Sequence, residues 1–149
     1  MMTNAEVAKV IHDLLAAAMD GDADGTGALL TDLAVDSDAS RMFNICTVFA
    51  EAGHRALLYM YGDRAPNLPA GDQWIIEQLR PGALDNDPVQ AFATRFLIAH
   101  CNGDQASTKS QYETALIAGP DVFVGGVFRL VTDVAGLANA ALKEQEAGG

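Results

Sequence analysis

The stretch ASRMFNICTVFAEAGHRALLYMY, residues 39–61, decides the fold class. It contains no proline, and apolar side chains would occupy most of the circumference of the helix that it forms. A helix that is hydrophobic almost all round is buried among other elements. The polar run DSDAS (36–40) overlaps its start and supplies short oxygen-bearing side chains, which cap helix N-termini. The sequence therefore predicts a helical bundle with this segment near its centre.

Apolar residues follow the helical period through most of the chain, and glycine and proline divide it into segments. The stretch VFVGGVFRLV (122–131) is ambiguous alone, but its apolar spacing continues into a helical pattern. Its Gly125-Gly126 pair lacks a phosphate-binding motif, so we interpret it as close helix packing or a frayed first turn. We predict a single all-α domain over residues 1–149, a bundle of six to seven helices. The predicted helices lie at about 7–18, 24–34, 39–61, 73–80, 88–101, 105–118 and 124–142.

Two pairs of segments suggest an internal duplication. LLAAAMDGD (14–22) aligns without a gap with FLIAHCNGD (96–104). MFNICTVFA (42–50) aligns in the same way with VFRLVTDVA (127–135). Each half then has a helix, a Gly-Asp turn, a short helix, a capped turn and a long helix. The pattern predicts two pseudo-repeated three-helix units, at about 5–60 and 87–146, joined by a short helical insert at about 61–86.

The segment DGDADGTGALLTDL (20–33) begins like the calcium-binding loop of an EF-hand, with acidic residues at alternate positions before a glycine. The twelfth position, which should hold a bidentate glutamate, is Thr31. The second half keeps the Gly-Asp turn at 103–104 but lacks the other acidic ligands. We therefore predict a structural turn in which Asp22 or Asp24 caps the following helix, and no metal site.

The remaining polar residues predict no catalytic group. By the repeat alignment Cys46 and Cys101 occupy apolar helical positions, so we expect buried, unbridged thiols. His12, His54 and His100 lie on polar or boundary sides of their helices and are expected to be solvated. A Cys/His metal site would need four side chains to converge, and neighbouring helical residues point about 100° apart. We predict no catalytic residue, no metal and no cofactor.

The charge of the chain limits the classes of partner. Nine Lys and Arg stand against twenty Asp and Glu, which gives a formal net charge of −11. This excess disfavours nucleic acids and anionic membranes, because both require clustered basic residues. No signal peptide or long apolar run is found, so we expect a cytoplasmic protein. Few lysines beside abundant Ala, Gly, Asp and Val indicate a GC-rich genome, bacterial or phage.

The segment 59–80, which overlaps the insert, contains several Tyr, Trp and Arg residues. These residue types are enriched at binding hot spots. We predict a partner-binding surface there, with one alternative, that Trp74 and Ile75 instead cap the end of the bundle between the two halves. The predicted surface residues are Tyr61, Arg64, Trp74 and Arg80. Glu51 and Arg55 are interpreted as an ordinary surface ion pair one helical turn apart.

Two hypotheses for the function follow. The first is a non-enzymatic interaction module, such as an adaptor, inhibitor or assembly accessory, that binds a protein partner with a basic surface. Assembly of the chain into a homo-oligomer stays open. The second is a bundle that binds a small apolar ligand between its two repeats, for which plain core packing is the alternative. The residues that would line this space are Phe43, Phe49, Phe92, Phe96 and Phe128.

Overall fold

The computed structural model describes residues 1–75 and 87–148. Within these ranges the chain forms six α-helices and no strand, so the predicted all-α bundle is confirmed. Two short 3-10 turns, Gly62–Arg64 and Leu68–Ala70, follow the third helix. None of the helices in the described ranges is both long and apolar enough to cross a membrane. The helices are α1 (Asn4–Met19), α2 (Ala23–Val35), α3 (Ala39–Tyr61), α4 (Pro88–Cys101), α5 (Gln105–Ala118) and α6 (Pro120–Gly148).

The last helix, α6, is the centre of the bundle. It packs against each of the other five α-helices, most extensively against α3 and α4. Leu130, Val131 and Val134 of α6 are completely buried. From α3, Cys46 and Phe49 are buried in the same core. The helix α3, predicted to lie near the centre, has its most extensive contacts with α6 and contributes many buried residues, so that prediction agrees with the structure.

The turn between α1 and α2 and the turn between α4 and α5 have the same backbone conformation. Gly21 has a φ of 76° and Gly103 a φ of 70°, in the left-handed region that glycine adopts without strain. The next residues, Asp22 and Asp104, are the N-caps of α2 and α5. Each carboxylate accepts a hydrogen bond from the backbone N–H three residues later, at 2.9 and 3.0 Å. The two turns are thus equivalent, while the duplication of the whole halves stays a prediction.

The acidic segment is a helix-to-helix turn, as predicted. Asp22 is the N-cap, and α2 already begins at Ala23. Thr31, at the position of the missing bidentate ligand, therefore lies well inside a regular helix. A helix carries successive residues along its axis, so this segment cannot wrap around an ion as an EF-hand loop does.

Both cysteines are buried and free, which confirms the prediction made for them. Burial raises the pKa of the Cys46 thiol to about 12. Burial, with a further contribution from the nearby Glu51 carboxylate, also raises the pKa of Cys101 to about 12.

Candidate functional site

Trp74 lies between the C-terminal half of α3 and the end of α4. Its ring meets the rings of His54 and Tyr61 edge-on, with centroids 6.2 Å and 5.4 Å away. Its backbone N–H donates to Oδ1 of Asn102 at 2.7 Å, and Nδ2 of Asn102 donates to its carbonyl at 3.2 Å. Only 8% of Trp74 is exposed. Trp74 therefore connects the C-terminal end of α3, through its ring, to the C-terminal end of α4, through its backbone.

The position of Trp74 corrects one expectation about the insert. The predicted surface treats its ring as an exposed contact for a partner, but the ring is covered by the chain itself. Burying so large an apolar ring is favourable by about 25 cal/mol for each Å² removed from water. The structural alternative, in which Trp74 and Ile75 cap the end of the bundle, describes the position of Trp74 better but is wrong for Ile75, which is 84% exposed.

Tyr61 and Arg64 extend this contact to the surface. The guanidinium carbon of Arg64 lies 5.5 Å from the centroid of the Tyr61 ring, within the range of a cation–π interaction. Tyr61 rests on Trp74 and is still 45% exposed. Three of the four predicted residues are thus in contact: Trp74 meets Tyr61 edge-on, and Arg64 lies over the Tyr61 ring. We call this group the Tyr61–Arg64 stack, with Trp74 as its base. Arg80, the fourth, lies outside the described residues.

A second group of polar side chains borders Trp74 at His54. Oε1 of Glu51 is 3.1 Å from Nδ1 of His54 and 3.0 Å from Nε2 of His100. Oε2 of the same carboxylate is 3.5 Å from Nε of Arg55. The side chains of Glu51, His54 and His100 are 43%, 20% and 24% exposed, so the cluster is half-buried. One carboxylate oxygen therefore joins two imidazoles from two different helices.

The electrostatics of this cluster favour a charged carboxylate. Burial tends to raise the pKa of Glu51, but hydrogen bonds from His100, His54 and Arg55 outweigh it and hold the pKa below its usual range. A carboxylate can only accept, so each facing ring nitrogen carries a proton and donates it. The Glu51 oxygen and the two histidine nitrogens lie within 4.8 Å of one another, close enough for one metal ion to bind all three.

Sequence reasoning missed this cluster, since it placed both histidines in solvent and paired Glu51 only with Arg55. The sequence does contain one indication of the cluster: Glu51-Ala52-Gly53-His54 is a Glu-x-x-His motif within a helix. This spacing puts a carboxylate and an imidazole on the same helix face, as in carboxylate-bridged metal sites of helical bundles. The contribution of His100 has no local signal in the sequence.

A groove of about 500 Å³ borders the cluster at His100. Phe43 is the one residue that this groove shares with the predicted ligand space. Phe49, Phe92 and Phe96 are buried and fill the core instead. The residues that line the groove are Phe43, Thr47, His100, Gly103, Gln105, Thr108 and Lys109.

No protein-family model matches the chain, and comparison with curated proteins and with solved structures found no similar protein. The two features described above are the Tyr61–Arg64 stack at the surface and the half-buried Glu51–His54–His100 cluster.

Proposed function

We propose that the protein is a non-enzymatic, acidic helical interaction module that binds a protein partner through Tyr61 and Arg64. The observation that carries this proposal is the stack itself. Its tyrosine is half-exposed yet held between a buried tryptophan and an arginine. Tyrosine and arginine are enriched at hot spots, where a few residues supply most of the binding energy.

The support beneath Tyr61 makes it a better anchor than a free surface tyrosine. A side chain that is already restrained loses little conformational freedom on binding, which lowers the entropic cost of association. Trp74 supplies this restraint from below, and the Arg64 guanidinium restrains the ring face. The anchor is therefore pre-organised in the free protein.

The charge of the chain indicates the kind of partner. With a formal net charge of −11, the surface attracts a basic partner over a long range and increases the rate of encounter. Arg64 adds a positive charge at the contact, which would meet an acidic or carbonyl group of that partner. We therefore expect association that weakens as the salt concentration rises.

Capture from a lysate of the native host, followed by titration of the purified captured protein, tests this function. Tyr61→Ala should weaken binding by about tenfold or more, which corresponds to a loss of about 1.4 kcal/mol at a hot spot. Tyr59→Ala is the matched control, because Tyr59 is an exposed tyrosine on the same helix that is not part of the stack. Unchanged affinity of a correctly folded Tyr61→Ala variant would contradict the proposal.

The second hypothesis, a small apolar ligand between the two halves, has weaker support. Phe49, Phe92 and Phe96 pack tightly in the core where that ligand would lie. A small ligand would instead use the groove beside Phe43 and His100.

A further inference from the structure

We propose that Glu51, His54 and His100 form a binding site for a divalent transition-metal ion, with Zn²⁺ as the best fit. Glu51 and His54 lie one turn apart on α3, and His100 comes from α4, which packs against α3. Two imidazole nitrogens and one carboxylate oxygen are a set that Zn²⁺ uses where three protein ligands leave a fourth position open. This site does not include Tyr61 or Arg64, and Trp74 is the residue that contacts both it and the proposed partner surface.

The distances suit a tetrahedral ion. With bonds of about 2.0–2.1 Å, two ligand atoms of a tetrahedral zinc lie about 3.3 Å apart. Oε1 of Glu51 lies 3.1 Å from the His54 nitrogen and 3.0 Å from the His100 nitrogen. These two pairs need to separate by only a few tenths of an ångström. The two imidazole nitrogens lie within 4.8 Å of each other, a gap that small side-chain rotations can close.

Metal binding also requires the two imidazoles to offer lone pairs instead of protons. A neutral histidine can move its proton between its two ring nitrogens. On binding, the proton on Nδ1 of His54 passes to Nε2, and the proton on Nε2 of His100 passes to Nδ1. The ion thus replaces two hydrogen bonds to one oxygen by three coordinate bonds, without a net change in the protons held by neutral rings.

The cluster has one more contact than is needed to hold α3 and α4 together. The contact between Glu51 and His100 already joins α3 to α4. His54 lies on the same helix as Glu51, so its contact adds no link between the helices. It does supply the third of three atoms that can bind a metal ion. Arg55 approaches the other oxygen of Glu51 and leaves Oε1 to face both rings.

The surroundings would support a bound ion. Trp74 contacts the His54 ring edge-on and limits its rotation. An apolar side chain beside a metal site also limits the access of solvent to the ion. The groove that borders His100 gives an ion, and a water or other fourth ligand, a route from solvent.

Titration of the chelator-treated full chain with Zn²⁺ tests the site, and Co²⁺ provides a visible spectrum of the coordination. We expect one ion per chain and a Co²⁺ absorption typical of tetrahedral nitrogen and oxygen ligands. His100→Ala should weaken Zn²⁺ binding by at least about tenfold, since even changes in groups behind the ligands cost 10–100-fold. His12→Ala is the matched control, because His12 is an exposed histidine of α1 outside the cluster.

Helical circular dichroism of each variant separates loss of ligation from loss of fold. If His100→Ala unfolds, Glu51→Gln serves instead, because it keeps the size of the side chain and removes the charged ligand oxygen. Zn²⁺ affinity that is unchanged in a folded variant of either kind would overturn the proposal. Affinity that is lost in His12→Ala would do the same. No partner enters this titration, so its result is independent of the proposed interaction.

Discussion

At the scale of single residues, the two thiols show how burial controls chemical reactivity. Cys46 and Cys101 are buried, and burial raises the pKa of each to about 12. The thiolate is the reactive form, so at pH 8 almost none of either side chain can attack a reagent. We expect neither cysteine to react with a disulfide reagent in the native protein and both to react in denaturant, as counted by mass spectrometry.

An exposed cysteine on the same fold gives the reference rate for this labelling. Ser110 is exposed on α5, so Ser110→Cys should react rapidly, and faster from pH 7 to pH 9 as its ordinary thiol titrates. The two native thiols should stay unreactive over that range, because their raised pKa values lie above it. Native labelling of Cys46 or Cys101 at the rate of the Ser110→Cys thiol would show that burial does not protect them.

The cysteines were predictable and the histidine cluster was not, for a physical reason. A cysteine on an apolar helix face is buried whatever helix covers it, so periodicity alone suffices. The cluster depends on a contact between Glu51 and His100, which are 49 residues apart. That contact depends on how α3 is rotated and placed against α4, and local patterns do not determine this rotation. Only the Glu51–His54 half of the cluster can be found in the sequence.

At the scale of elements, Gly126 allows α4 and α6 to approach closely. A Cβ atom at Gly126 would lie 2.6 Å from Cδ1 and 3.2 Å from Cγ of the Phe92 ring. Phe92 is itself buried and packs against the Phe96 ring, so it has little room to move. This contact favours the first of the two interpretations of the glycine pair, close helix packing, over a frayed turn.

Gly126→Ala should therefore lower the free energy of unfolding, by about 1–3 kcal/mol, as overpacked cores do. Gly136→Ala is the matched control on the same helix, because within the described ranges a Cβ atom at Gly136 would meet nothing beyond its own helix within 4 Å. It should raise the free energy of unfolding by about 0.5–1 kcal/mol, since alanine favours helix over glycine. Chemical denaturation measures both. Equal stabilisation by the two substitutions would mean that Phe92 can yield and that the close approach is not essential.

Helix positions were largely predictable because capping residues mark them. Asp38 caps α3 and Asp87 caps α4, each through its side-chain oxygen. The predicted helix at 73–80 is wrong for Gln73, Trp74 and Ile75, which are not helical, and residues 76–80 lie outside the described residues. Trp74 bonds through its backbone to Asn102 instead of to its own helical turn. A long-range contact thus overrides a local apolar pattern.

At the scale of the whole molecule, the repeat predicts local structure better than packing. The two Gly-Asp turns are equivalent, and each is followed by a buried threonine, Thr26 or Thr108, whose hydroxyl donates to the capping aspartate's carbonyl. The halves nevertheless pack differently: α4 packs against α3, α5 and α6, whereas α1 packs chiefly against α2 and α6. Equivalent turns need only a few matching residues, but equivalent packing needs matching surfaces. Gly126 of α6 gives the Phe92 ring of α4 such a surface.

Trp74 contacts both proposed sites, which lie next to each other on α3. The Trp74 ring contacts the ring of His54 in the histidine cluster and the ring of Tyr61 in the surface stack. Its backbone is bonded to Asn102 at the end of α4. A change at Trp74 should therefore reach the fold, the metal cluster and the contact surface together, which a change at either site alone should not.

We expect Trp74→Ala to lower the free energy of unfolding by about 3 kcal/mol, the low end for truncating a buried aromatic ring to alanine. Under conditions where the variant stays folded, Zn²⁺ binding should also weaken, because His54 loses the ring that limits its rotation. Trp74→Phe is the matched control: it keeps an aromatic ring in the gap and leaves the backbone bonds to Asn102 available. It should retain most of the stability and most of the Zn²⁺ affinity. If instead Trp74→Ala unfolds at the same denaturant concentration as the native chain, Trp74 does not hold the ends of α3 and α4 together, and the support assigned to Tyr61 and His54 must come from other contacts.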